Sequence, residues 1–163
     1  MSLDDGKKRT EKFIFLLLFF AGAYFLHQQV EHSNTSSRYF LISAIVDYGT
    51  LNIDVYQDYT IDKSFSNGHY YSNKAIGAPL LGVPIYWVMR NLPYLRDRPP
   101  LAPLERYLIR VVTTTLPFAL LGAVMFRMAC LWGVGPGTAI WMVMAYSFGS
   151  LAFIHAIIFS GHQ

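Results

Sequence analysis

Residues 76–89 read IGAPLLGVPIYWVM, and whether this run crosses a membrane decides the architecture of the chain. It is apolar throughout but only fourteen residues long, with Pro79 and Pro84 interrupting it. Apolar runs of roughly 10 to 14 residues are more often interfacial or re-entrant than spanning, and Tyr86 and Trp87 suit the depth of lipid headgroups. The run is therefore expected to lie on the membrane, within a helix over about residues 76–92. One consideration favours the competing reading, a fourth span. A surface helix leaves Arg90, Arg96, Arg98 and Arg106 outside, against the tendency of basic residues to remain inside.

Composition places the chain in a membrane. Apolar residues make up 53% of its 163 residues and charged residues 14%, against roughly 25% charged in ordinary soluble domains. The net charge of +3 is small, and the bases are scattered among apolar runs rather than gathered in a stripe, which excludes nucleic acid as a partner. Cys130 is the single cysteine, so there is no intrachain disulfide framework, and no cysteine–histidine spacing resembles a zinc site. No cofactor is expected, and the sequence leaves any divalent metal unknown.

Working outward from residues 76–89, three better spans emerge. Residues 1–12 carry Lys7, Lys8, Arg9 and Lys12 ahead of an apolar segment over 13–30, so the N-terminus is expected in the cytoplasm and Val30 outside. The alternative for this segment is a cleaved signal peptide, since Ala21-Gly22-Ala23 has a small-x-small processing pattern. Residues 107–132 are apolar apart from Arg110 and Arg127, which can snorkel to opposite interfaces. Residues 137–159 hold only His155 as an ionisable group. The expected fold is an all-α multi-pass membrane protein with three transmembrane helices or alternatively four. Residues 31–106 form an outer loop carrying juxtamembrane amphipathic helices, and residues 160–163 read as a truncated end. With three spans this end emerges on the same outer side as the loop. With four it is cytoplasmic.

The loop itself is organised. Ser36 or Ser37 is placed to cap an amphipathic helix over about 38–48, which Gly49 ends in a left-handed conformation. Asp54, Asp58 and Asp62 follow at spacings of four. On a helix they would share one face, and their repulsion would raise the pKa of at least one unless Lys63 or Lys74 offset it. Asn67-Gly68 is a turn, and RDRPPLAP, residues 96–103, reads as a stiff connector. Asp62 is a candidate general base, or simply the cap of the turn that follows it. Lys63, Lys74 and Arg38 are candidates for holding a lipid-linked phosphate, or solvated partners of the aspartates. His69, Tyr70 and Tyr71 can stack on a sugar, although interfacial aromatics are common. His155 is an ionisable group within a span, either functional or hydrogen-bonded to another helix, and His162 lies two helical turns further on the same side.

Three of these stretches, SRYFLISAIVDYGTLNID at 37–54, DKSFSNGHYYSNKAIG at 62–77 and the terminal FSGHQ, resemble the N-terminal part of bacterial GT-C superfamily glycosyltransferases. These are relatives of protein mannosyltransferases and lipid A aminoarabinose transferases. The resemblance covers about residues 13–163, which corresponds to the first third of such an enzyme. It implies juxtamembrane helices and a carboxylate in the first outer loop, a polyprenyl-phosphate sugar as donor, membrane lipids as surroundings, and an extracytoplasmic acceptor. On that footing Asp62 and Asp54 are the expected catalytic carboxylates. Lys63, Lys74 and Arg38 would bind the donor phosphate, and His69, Tyr70, Tyr71 and His162 would form the sugar pocket. The chain departs from the pattern in two places. Asn34 and Thr35 stand where the relatives carry an Asp-Glu pair, so that Glu31, Asp54 or Asp62 must substitute, and KAIGAP replaces Lys-Pro-Pro. The departure leaves a second class open, a non-catalytic integral membrane scaffold or interaction protein.

Overall fold

The computed structural model describes residues 3–26, 33–93 and 101–159. It is mostly helical, at 77%. Helix α1 (Leu3–Leu26) runs unbroken from the basic segment through the apolar one. Helix α2 (Ser33–Tyr48) leads to a 3₁₀ helix (Asp54–Tyr59) and then to a hairpin of β1 (Lys63–Ser66) and β2 (His69–Ser72). Helix α3 (Gly77–Asn91) precedes the long helix α4 (Pro103–Leu131), after which come α5 (Pro136–Gly149) and α6 (Ala152–Ile157).

Among the described residues one helix, α4, is long and apolar enough to cross a membrane, with 29 residues. At 1.5 Å per residue it reaches about 43 Å, more than the roughly 30 Å of hydrocarbon. Residues 111–115, VVTTT, form a π turn within it. A wide turn of this kind frees backbone carbonyls, which is costly in an apolar setting. Threonine hydroxyls take them up: Thr113 donates to the Ile109 carbonyl at 2.7 Å and Thr114 to that of Arg110 at 2.8 Å. The Thr115 hydroxyl reaches across to the Ala156 carbonyl of α6 at 3.3 Å.

Two cores meet along α4. In one, Tyr39, Phe40 and Ile42 of α2 pack with Tyr86 and Met89 of α3, Ile109 of α4 and Phe159. In the other, Ile14 and Leu18 of α1 pack with Phe118, Ala119 and Phe126 of α4, Ala139 and Val143 of α5 and Ala156 of α6. Contacts run antiparallel between α1 and α4. Ala23 accepts a hydrogen bond from the Tyr107 hydroxyl at 3.2 Å, Gly22 meets Thr115, and Leu18 meets Gly122. Outside this second core the exposed side chains are themselves apolar, among them Phe13, Phe20, Leu120, Val124 and Trp141. That is the exterior expected where the surroundings are lipid.

Several sequence expectations change. The hairpin means that the fold is not all-α. Asn67 (φ 51°) and Gly68 (φ 84°) both adopt positive φ, the geometry of a two-residue turn that matches strand twist, so the turn expected there has a partner strand on each side. The three aspartates do not share a helix face. Asp54 and Asp58 lie in the 3₁₀ helix, and Asp62 falls beyond its end. Helix α2 begins at Ser33, so Ser36 and Ser37 are inside it rather than capping it, and residues 37–44 are buried on every side rather than amphipathic. Gly49 does end it in a left-handed conformation (φ 66°), with its amide bonded to the Ile45 carbonyl. The helix expected over 137–159 is two, because the Gly149-Ser150 pair breaks it and Ser150 turns back to the Tyr146 carbonyl at 2.6 Å. Residues 27–30 and 160–163, including His162, lie outside the described residues, as does Glu31.

Helix α3 spans about 22 Å at helical rise, too short to cross hydrocarbon alone. It buries Gly82, Tyr86 and Met89 against α2 and α4 and exposes Leu80, Leu81, Trp87 and Val88.

The closest helix contact yields a stability test. A Cβ at Gly122 would collide with the Leu18 side chain, whereas one at Gly137 would meet nothing within 4 Å. Gly122→Val is expected to destabilise the purified protein by about 1–3 kcal/mol, the usual cost of overpacking. Gly137→Ala should leave the melting temperature in detergent unchanged or slightly raised. A Gly122→Val variant that melts with the parent would show that α1 does not pack there.

Candidate functional site

Helix α2 supports the polar layer, and the hairpin lies against its first turns. Ser37 is fully buried, and its hydroxyl donates to the Asp62 carbonyl at 2.6 Å and lies 2.8 Å from the Ser72 hydroxyl. These two contacts hold both ends of the hairpin to one helix position. They bring the carboxylate of Asp62 beside Lys74, whose ammonium donates to Oδ1 at 3.0 Å. Both side chains stay partly open, at 25% and 19% exposure. Arg38, next to Ser37 on α2, is 3% exposed. Burial lowers its pKa from the usual arginine range, while the Asp62 charge acts in the opposite direction. Its guanidinium donates to the side chain and carbonyl of Asn34, and its Nε has no hydrogen-bond partner among the described residues. Of the three cations expected at a phosphate, Lys74 thus pairs with Asp62, and Arg38 is near enough for the Asp62 charge to act on it.

Lys63 does not join them. Its ammonium donates to the Gln57 carbonyl and stands 4.8 Å from the centre of the Tyr70 ring. Asp54 is likewise committed elsewhere. Its Oδ2 is 2.6 Å from His69 Nδ1, and its Oδ1 accepts the Tyr70 amide at 2.6 Å. These bonds fasten the 3₁₀ helix to β2, reinforced by the Ile53 amide on the Tyr70 carbonyl at 2.7 Å. The Tyr70 amide first, then His69, hold the Asp54 carboxyl below the usual carboxylate range, opposite to the rise expected from a row of aspartates. Asp58 is exposed. The aromatic residues expected around a sugar also separate. Side chains alternate along a strand, so Tyr70 shares the α2-facing side with Ser72, while His69 and Tyr71 take the other.

The structure adds a cluster that the sequence reading missed. Asp47, near the end of α2, accepts from Ser43 at 2.6 Å and from the Tyr86 hydroxyl at 2.9 Å through Oδ2, and from Arg90 Nε at 3.3 Å through Oδ1. Ser43 also lies 2.7 Å from the Tyr56 hydroxyl. Glu105, fully buried in the first turn of α4, accepts the Ala102 amide at 3.0 Å. With donors on both oxygens, Asp47 is read as a clamp between α2 and α3. One signal was available: Ser43 and Asp47 are a polar i, i+4 pair in the otherwise apolar second half of α2. Arg90, one of the four arginines that argued for a fourth span, is the partner of this acid.

His155 lines an apolar groove of about 650 Å³ between α4 and the α5–α6 bend, with Pro117, Phe118, Leu121, Tyr146 and Leu151. Among the described residues no group of three or more His, Cys, Asp or Glu side chains is placed to hold a metal ion.

Chemically, the Asp62–Lys74–Arg38 group pairs one accessible carboxylate with two cations, one of them desolvated. Such a set can hold an anion and accept a proton. No protein-family model, curated protein or solved structure matches the chain.

The Asp54 clamp gives a pH prediction. Its folded pKa is depressed, so its contribution to hairpin docking is present above about pH 4 and lost as pH falls through the folded value. Protection of the Tyr70 amide against hydrogen exchange, corrected for intrinsic rates, should fall over that acid range in the parent. In Asp54→Ala it should already be lost at pH 7. Equal protection in parent and variant would remove Asp54 from this role.

Proposed function

We propose that the chain belongs to a membrane glycosyltransferase of the GT-C kind, using a polyprenyl-phosphate sugar as donor and an acceptor outside the cytoplasm. The observation that carries the reading is the convergence of Asp62, Lys74 and Arg38 on the first turns of α2. Three membrane crossings are inferred, by α1, by α4 and by α5 with α6. Helix α3 then lies in the outer interface with Leu80, Leu81 and Trp87 towards lipid. The antiparallel packing of α1 on α4 brings Arg127 to the end that carries Lys7 and Lys8, and this concentration of cations supports a cytoplasmic N-terminus in the bacterial inner membrane. The polar layer is then extracytoplasmic.

On this reading the acceptor hydroxyl attacks the anomeric carbon as the bond from that carbon to the phosphate oxygen breaks. The proton passes to the Asp62 carboxylate, and the polyprenyl phosphate leaves with its charge countered by Lys74 and Arg38. In an inverting transfer the base and the leaving group stand on opposite sides of the sugar. The Lys74 contact to Asp62 must therefore open, and a donor phosphate that takes the ammonium frees the base in the same step. The apolar groove beside His155 suits a prenyl chain.

The test is transfer from labelled polyprenyl-phosphate sugars by a full-length protein containing this chain. Asp62→Asn is expected to reduce transfer by roughly 10²- to 10⁴-fold with donor binding retained. Lys74→Ala should weaken donor binding first. Parent-like transfer in both variants would remove the catalytic role. Absence of transfer in the parent would favour a non-catalytic scaffold, a reading that the structural use of Asp54 and Lys63 supports.

A further inference from the structure

The far end of the molecule, away from the hairpin, holds a second concentration of charge that glycosyl transfer does not use. A cavity of about 170 Å³ lies where the start of α1 meets the end of α4. Lys7, Lys8 and Arg127 line it, opposed by Glu11, and its remaining walls are Phe126, Cys130 and Leu131. Polar and apolar lining therefore meet within one small volume.

We propose that this cavity binds the phosphate headgroup of an anionic glycerophospholipid. Three lining cations outnumber the single lining carboxylate, so the cavity favours an anion. The apolar walls continue into the exposed apolar face of α4, where Val124, Met128 and Leu131 offer a surface for acyl chains. A free phosphate would use only the polar half of this lining, whereas a phospholipid uses both. Basic pockets between transmembrane helices on the cytoplasmic side are suited to anionic headgroups, at about 1 kcal/mol for each Lys or Arg near the surface. The membrane placement rests on the topology proposed above, with this end cytoplasmic. The chemistry of the cavity does not depend on glycosyl transfer.

Cys130, the single cysteine and part of the lining, supplies a native probe. The chain is purified in a neutral detergent, and the rate at which Cys130 reacts with a maleimide is measured with dioleoyl phosphatidylglycerol, with dioleoyl phosphatidylcholine at the same mole fraction, or with inorganic phosphate. Phosphatidylglycerol should slow the reaction several-fold, and phosphatidylcholine and phosphate should not. Lys7→Gln, Lys8→Gln and Arg127→Gln should each raise the phosphatidylglycerol concentration needed for protection by about fivefold, while Arg127→Lys should keep it near the parent value. Equal protection by the two lipids would reduce the site to an apolar surface. Protection by phosphate alone would overturn the lipid assignment, and so would no protection in a parent shown monodisperse by gel filtration. Reaction of Cys130 with an impermeant maleimide applied to intact cells would overturn the cytoplasmic placement, and thus the topology, while the micelle result would still decide the headgroup site.

Discussion

The contact on which the rest of the molecule depends is the antiparallel approach of α1 to α4 at Gly22 and Gly122. A side chain at either position would meet Thr115 or Leu18. Two apolar helices gain little from hydrophobic segregation when their surroundings are lipid. What holds them is close packing, which small residues permit. The Ala21-Gly22-Ala23 pattern that resembled a processing site falls at this contact. With α1 fixed on α4, the inner core closes over α5 and α6. The remaining length of α4 projects as a support for α2 and α3.

That projection explains how polar groups are distributed. In the layer beside the hairpin Asp47 is answered by Arg90, Tyr86 and Ser43, and Asp62 by Lys74. The two carboxylates differ in what remains open to them. Asp47 is occupied on both oxygens and joins two helices. Asp62 has one oxygen engaged by Lys74 and is partly exposed at the edge of the hairpin. The distinction between clamp and candidate site rests on this difference in valence and access, not on residue type.

Much of this was legible in the sequence where the signal was local. The turn at Asn67-Gly68, the stop at Gly49 and the short helix over residues 77–91 follow from the stereochemistry of glycine and asparagine and from run length. The convergence of Asp62, Lys74 and Arg38 was anticipated in part, because Asp62 and Lys74 flank the same polar insert. Lys63 and Asp54 engage partners that the sequence did not indicate. Spacing along a chain does not reveal which partner a side chain meets, and periodicity of four suggested a helix where a 3₁₀ helix ends at Tyr59 and the chain continues irregularly to Asp62. Asp47 was passed over because its one local signal, the i, i+4 pair with Ser43, names no partner, and Arg90 lies 43 positions away.

The π turn at residues 111–115 has a consequence for how this protein can change. An α-helix that gains one residue rotates everything beyond it by about 100°, which would turn the outer half of α4 away from α2 and α3. A π turn is the form in which one extra residue is absorbed without that rotation. Removing one residue here would return the segment to ordinary helical winding with both halves still aligned, whereas adding one would set the two cores out of phase. The threonine run is thus a place where α4 tolerates shortening and resists lengthening, an asymmetry that neither its hydropathy nor its burial displays.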